Sequence, residues 1–439
     1  MPSRPREVVA VEPAVLVVGG GIAGIQAALD VAEQGVHVYL VERYPSIGGH
    51  MAMLDKTFPT LDCSICILAP KMVDVARHPN ITLLTYSEVT GVKRAGKGFE
   101  VKVLKKARYV DPERCTGCGI CSEKCPVEVP DEFNQGLGPR KAIYIPFPQA
   151  VPKVALIDME HCLRCGLCKS ICEAKAIDFS QKDEELTLQV GAIIVAAGFK
   201  LVDVEGLREY GYGRYANVIT ALQLERLINA SGPTRGELMR PSDGKMPKRV
   251  AFIQCVGSRD RRIGNPYCSR VCCMYAAKNA VLLKEHWPEV EVVVYYIDLR
   301  AYGKGFEEFV ERAREEFGVK FVRGRVARVE EDPETGDLRL AVEDTETGRI
   351  SMEEHDLVVL SVGLAPADGS EALAKLLGLK MDEYGFFASS EPKANPVAAL
   401  DGIFICGCAA GPKDIPDSVA EASAAAMEAV NYLREVDLL

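Results

Sequence analysis

The chain has 439 residues, 48% hydrophobic and 26% charged, with a formal net charge of −10 and 16 cysteines. That length suits two or three domains, and the composition is that of an ordinary globular protein. The acidic balance excludes a nucleic-acid backbone as partner, no run approaches the ~18 apolar residues of a membrane span, and MPSRPREVVAVEP lacks the apolar core of a secretory leader.

These exclusions read as a cytoplasmic protein, and in a reducing compartment clustered cysteines bind metal more often than they form structural disulfides. The first element is AVLVVGGGIAGIQAALDVAEQG, an apolar strand, a glycine turn and an alanine-rich helix. Gly19, Gly21 and Gly24 form G-x-G-x-x-G: the first permits the tight turn, the second admits a pyrophosphate to the backbone, and the third packs helix on strand. The helix N-terminus then directs free N–H groups at the phosphates. A second strand, VHVYLVE, ends at Glu42, placed to bond a ribose hydroxyl.

Next comes RYPSIGGHM, with Arg43, Gly49 and His50. It resembles the two-dinucleotide flavoproteins related to thioredoxin reductase, in which a glycine pair passes the flavin nucleotide. FPTLDCSICILAPKM places Cys63 and Cys66 at C-x-x-C spacing, which fits a redox dithiol, half of a shared metal site, or plain buried cysteines.

CTGCGICSEKCP and CLRCGLCKSIC then repeat C-x2-C-x2-C-x3-C, the bacterial two-cluster ferredoxin pattern, in which the fourth cysteine of each run serves the other cluster. One cubane is assigned Cys115, Cys118, Cys121 and Cys172; the other takes Cys125, Cys162, Cys165 and Cys168. The second run has Glu173 where the first has proline, which removes no ligand.

GAIIVAAGF, with Ala197 and Gly198, resembles the strand by which such flavoproteins re-enter the FAD domain. DGIFICGCAAGPKDIPDSVAEASAAAMEAV resembles their final strand, turn and helix, with Gly407 in the turn. The family has an acid after that glycine; here Cys408 follows, and Asp414 is the substitute. Ala420, Ala422, Ser423 and Ala424 suit close approach to a flat ring. Lys413 and Lys304 are further candidates beside the flavin, while Cys406 and Cys408 read as packing.

Between these lies a second strand–helix region, opening RVAFIQCVG and returning at VVLSVGLAP. Its first turn holds Cys255, Gly257 and Ser258 in place of a second glycine fingerprint. The spacing of Cys255, Cys268, Cys272 and Cys273 predicts the last three at the start of one helix, with Cys268 and Cys272 on a shared face if the helix begins that early. A helix N-terminus lowers thiol pKa and suits an anionic cluster. The residues alone admit a cluster, a zinc ion or bare thiols. Arg259, Arg261, Arg262 and Arg270 add positive charge around them.

Taken together, the flavin motifs, the double ferredoxin and this four-cysteine pattern resemble the heterodisulfide reductase A-type family, in a short form without the extra N-terminal domain and C-terminal ferredoxin. The resemblance implies that Cys255, Cys268, Cys272 and Cys273 hold a third 4Fe–4S cluster. It implies an α/β, thioredoxin-reductase-like fold with an inserted two-cluster ferredoxin domain. The expected domains are an FAD-binding Rossmann-type part (1–106), the ferredoxin insert (107–180), the FAD-domain return (181–244), a degenerate pyridine-nucleotide-like domain with the four cysteines (245–386) and the C-terminal FAD part (387–439). It further implies an FAD and iron–sulfur electron-transfer subunit coupling disulfide reduction to ferredoxin reduction by flavin-based bifurcation. Its partners would be ferredoxin, B- and C-type subunits and a further subunit for electron input, with a homodimer inside the complex. The competing readings are a self-contained NAD(P)H oxidoreductase, a cluster-bearing scaffold, and direct disulfide reduction at Cys63 and Cys66.

Overall fold

The computed structural model describes residues 12–392 and 394–439. AVLVV forms the strand Ala14–Val18, of which the first four residues are buried. Burial on both faces is what a central parallel strand requires. It lies between His37–Glu42 and Ala192–Val195, both parallel to it. Ile81–Thr85 and Ile403–Ile405 extend this sheet in parallel, and Ala398–Leu400 closes one edge antiparallel, giving six strands. Helix Ile22–Glu33 and the last helix, Ile415–Glu435, share one hydrophobic core with it. Their facing alanines, among them Ala27, Ala28, Ala422 and Ala425, are all fully buried.

A three-stranded antiparallel sheet (Ser87–Ala95, Gly98–Lys105, Glu184–Val190) covers the opposite face. Between its last two strands runs a segment with two short hairpins and two short helices, Ile120–Glu123 and Leu167–Ile171. A single bridge, Val110 to Ile177, ties the segment's ends.

The second unit is a seven-stranded sheet. Val218–Thr220, Leu357–Val362, Arg249–Val256, Glu291–Tyr296 and Lys320–Glu331 run parallel, and Leu338–Asp344 and Ile350–His355 continue it antiparallel. Helices Ala221–Ile228, Cys272–His286 and Phe306–Glu315 pack on one face. The connections between the units pair with each other as a two-stranded ribbon, Phe199–Leu201 with Leu364–Pro366. Among the described residues no helix is long and apolar enough to cross a membrane.

Candidate functional site

The carboxyl ends of the six-stranded sheet open into a cavity of about 720 Å³, within the range of small-ligand and cofactor sites. Gly19 and Gly21 line it at the N-terminus of helix Ile22–Glu33. A Cβ built on Gly21 meets nothing within 4 Å, so its backbone is open to a ligand. Glu42 closes the second strand there. Its Oε2 accepts from the Gly20 N–H at 2.6 Å and its Oε1 from the Tyr44 N–H at 2.8 Å. Burial pushes the Glu42 carboxyl up, while those two donors pull it back towards the anion.

Of the other residues expected on the wall, Arg43, Gly49, His50, Ala197, Gly198 and Asp414 all face the cavity. Arg43 donates to the Asp368 carbonyl at 2.6 Å. His50 stacks on Phe199, ring centres 4.2 Å apart, and burial lowers its pKa to about 4. Asp414 caps the last helix, accepting from the Asp417 N–H at 2.9 Å. Lys413 also reaches the wall, where its ammonium meets Glu421 at 2.6 Å; Lys304 does not line it.

Three expectations need correction. Gly407 stands behind the wall, where an added Cβ would meet Ala23 Cβ at 2.7 Å, while Gly24, whose Cβ would meet Gly19 O at 1.8 Å, packs helix on strand as its place in the motif predicts. Of the small residues of the last helix, Ala422 lies in the core shared with the first helix and Ser423 donates to Asp30, while Ala420 and Ala424 are exposed; Ile415, Pro416 and Ser418 line the cavity. Finally, the four-cysteine helix begins at Cys272, so Cys268 belongs to the preceding loop and shares no helical face with it. The bend after Ser269, with Arg270 at φ 64°, delays the helix.

Besides the glycine turn and Glu42, the cavity is lined by Leu54, Phe58, Leu222, Glu225, Tyr275, Lys278 and Cys406. Lys278 and Glu225 form an ion pair with side chains 1% and 3% exposed. Sequence reasoning missed them, because a lysine in an alanine-rich helix looks like a solvated residue. Tyr275 donates to the Val362 carbonyl at 2.8 Å. Cys406 and Cys408 are buried against the same cavity, and burial pushes Cys406 up to about 12.

The four thiols of the second unit gather where a second nucleotide turn would begin. Cys255 is the penultimate residue of its strand, with φ 61°, and Cys272 and Cys273 open the helix that also presents Tyr275 and Lys278. Each thiol's charge opposes ionisation of its neighbours. Burial, the larger cause, raises Cys255, raises Cys273 to about 11 and Cys272 further, and at Cys255 the Arg259 guanidinium opposes that rise.

The intervening loop is stitched inward. Ser258 and Ser269 hydroxyls meet at 2.5 Å, Ser269 accepts from the Leu364 N–H, and Tyr267 donates to the Leu364 carbonyl. A Cβ on Gly257 would strike Val202 at 2.7 Å, so this glycine serves packing and leaves no phosphate cradle. Three of the four nearby arginines are paired: Arg259 with Asp298, Arg262 with Asp260 and Glu209, and Arg270 with Asp417.

In the inserted segment burial raises the Cys121 and Cys168 thiols, and neighbouring thiols add to it: Cys115, Cys118 and Cys168 at Cys121, and Cys162, Cys165 and Cys125 at Cys168. Cys172 packs on the same small core. Gly117, Gly119 and Gly166 all adopt positive φ, the conformation that wraps a loop around a bulky centre. Among the described residues no three His, Cys, Asp or Glu side chains are gathered as for a single metal ion. Cys63 and Cys66 form a disulfide.

A two-unit α/β scaffold with a dinucleotide cavity at the strand ends defines a class, and residues 13–429 match the model of that class. The chain belongs to the pyridine nucleotide-disulphide oxidoreductase family. It is an oxidoreductase, and FAD is the cofactor that the family match and the cavity indicate. Its fold is that of thioredoxin reductase: the Lactococcus lactis enzyme superposes with a TM-score of 0.55 at 15% identity, covering 97% of this chain and 100% of that one.

Within the family the sequence relatives are heterodisulfide reductase proteins of the A type, as the motifs implied. The chain is 60% identical over 419 residues to the second iron-sulfur A-type protein of the CoB–CoM heterodisulfide reductase of Methanopyrus kandleri. It is 56% identical over 424 residues to the A-type protein of the H2:CoB-CoM heterodisulfide,ferredoxin reductase of Methanothermobacter marburgensis. These matches cover 95% and 96% of this chain, which spans 64% of each relative's length.

Proposed function

We propose that the protein is the FAD and iron–sulfur electron-transfer subunit of a heterodisulfide-reductase-like complex in the cytoplasm. One observation carries this reading: a single helix, Cys272–His286, presents two of the four clustered thiols at its start and Tyr275 and Lys278 to the cavity wall. Any cluster held by Cys255, Cys268, Cys272 and Cys273 then shares a rigid element with the flavin site. FAD accepts electrons in pairs and releases them singly, the property that joins two-electron to one-electron partners.

Two further 4Fe–4S clusters are assigned to the insert, which is read as a ferredoxin domain over 107–180 within a flavoprotein domain made of 1–106, the return through 181–201 and 387–439, residues 218–228 going with the second sheet. One is held by Cys115, Cys118, Cys121 and Cys172, the other by Cys125, Cys162, Cys165 and Cys168. Thiolates of a cubane each bind a different iron, so they need not converge on a point. The 245–386 domain keeps the nucleotide-binding scaffold with its phosphate turn filled. Ferredoxin, B- and C-type subunits and a further subunit for electron input are the partners, and flavin-based bifurcation between disulfide and ferredoxin is the activity. The relatives' names support this pairing of substrates.

The test is iron and flavin analysis of anaerobically purified protein, for which three cubanes predict about twelve irons and one FAD per chain. Stopped-flow mixing with NADH or NADPH should leave the flavin oxidised. Rapid stoichiometric bleaching would replace this reading with a self-contained NAD(P)H oxidoreductase.

A further inference from the structure

Four lysine or arginine side chains are buried among the described residues: Arg108, Arg226, Lys278 and Lys413. Three of them face carboxylates. Lys278 pairs with Glu225 and Lys413 with Glu421, and Arg226 lies in the field of Asp131, Glu225 and Asp55. Arg108 is different, because the ionisable groups acting on it are Tyr86, Tyr144 and Cys115.

Arg108 sits at the root of the inserted segment, where its carbonyl accepts from the Ile157 N–H at 3.1 Å. The side chain turns back into the first unit. Its Nη2 donates to the Pro45 carbonyl and to the Thr85 hydroxyl, both at 2.6 Å. Its Nη1 is buried with no hydrogen-bond partner among the described residues. Burial lowers the guanidinium only to about 10, so it stays charged at neutral pH. A buried charge is costly unless an opposite charge offsets it. Burial pushes both tyrosines up, Tyr144 to about 12, so neither is an anion there. That leaves Cys115, which packs on the small core of the insert with Val110 and Ile157. A cysteine that binds iron is deprotonated, and a cubane held by four thiolates is an anion.

Building on the cluster assignment above, we propose that Arg108 is the counter-charge of the 4Fe–4S cluster held by Cys115, Cys118, Cys121 and Cys172 and raises its reduction potential. Reduction adds one electron to the cluster and deepens its negative charge. The guanidinium, which keeps its proton throughout, stabilises that state more than the oxidised one. Among the cysteines of the insert only Cys115 acts on Arg108, so the effect falls on one cubane more than on the other. The cluster next to the first unit becomes the better electron acceptor of the two.

The test is an anaerobic redox titration of the whole, cofactor-loaded protein, read by EPR of the reduced clusters, in the wild type, Arg108→Gln and Arg108→Lys. Iron analysis of the wild type comes first. About four irons per chain in place of about twelve would defeat the cluster assignment itself, whatever Arg108 does. With the clusters present, Arg108→Gln should move the midpoint of one insert cluster to more negative potential, with smaller shifts at the other two. Arg108→Lys keeps the charge and loses the fork, and its midpoints should stay closer to wild type. Loss of one cluster from the glutamine variant and its retention in the lysine variant would support the same role. An unmoved or raised midpoint in Arg108→Gln would overturn the proposal. So would an equal shift in both variants or at all three clusters, or loss of iron from the lysine variant, each of which would make Arg108 a structural clamp.

Discussion

Gly24 carries no side chain because its Cβ would lie 1.8 Å from Gly19 O, inside any tolerable contact. Gly24→Ala must push the first helix off its strand and open the phosphate turn. We expect about 3 kcal/mol of lost stability from overpacking and weakened flavin retention, read by denaturant titration and flavin absorbance. The ion pair of Lys278 and Glu225 behaves differently. Lys278→Met strands a buried carboxylate and should cost about 3–5 kcal/mol, whereas Lys278→Met with Glu225→Leu should recover most of it. A double-mutant cycle measures the difference. His355 provides a pH dependence: it is 4% exposed, bonded to the Tyr295 hydroxyl at 3.0 Å, and burial lowers its pKa to about 4. The unfolded chain takes up this proton near pH 6.5 and the folded one only near pH 4, so stability falls as pH drops through that window. The loss from this group should be about 2 kcal/mol between pH 7 and pH 5 and should vanish in His355→Leu, by denaturation at both pH values.

At the scale of elements, legibility followed periodicity. AVLVV and GAIIVAAGF are apolar on consecutive residues and could only be buried strands, and they pair directly, Val15 with Ala192. The glycine turn and Glu42 were readable because each residue's duty is local. The final helix was not: its alanines announce close approach without saying to what, and the partner proved to be helix Ile22–Glu33. Cys268 was misplaced because the bend at Ser269 and Arg270 depends on bonds to Leu364, far along the chain. Lys278 was invisible for the same reason, its partner being 53 residues distant. Helix Ala221–Ile228, which supplies that partner, is itself locally encoded, with Thr220 and Gln223 closing a capping box.

In the whole molecule the inserted segment is clamped by Arg226, a side chain from the second unit. Its guanidinium donates to Asn134 Oδ1 at 3.0 Å and to the Met53 carbonyl at 3.1 Å, and it lies over the Phe133 ring. One buried side chain thus joins insert, first unit and second unit. Arg226→Ala removes all three contacts and leaves buried acceptors unpaired, which should cost about 2–4 kcal/mol. Limited proteolysis should then cut within residues 107–183 before either sheet is attacked.

Arg270 reaches from the thiol loop to Asp417 and to the Pro412 carbonyl on the opposite unit, while Leu364 of the connecting ribbon grips the same loop from within. The loop therefore straddles the seam and travels with neither half alone. In the role proposed above, charge passing between those thiols and the cavity would have a span set by bonded contacts, not by diffusive swinging of one lobe. Raising solvent viscosity with glycerol should leave that internal step unslowed in transient absorption, where a tethered, mobile carrier would lag in proportion.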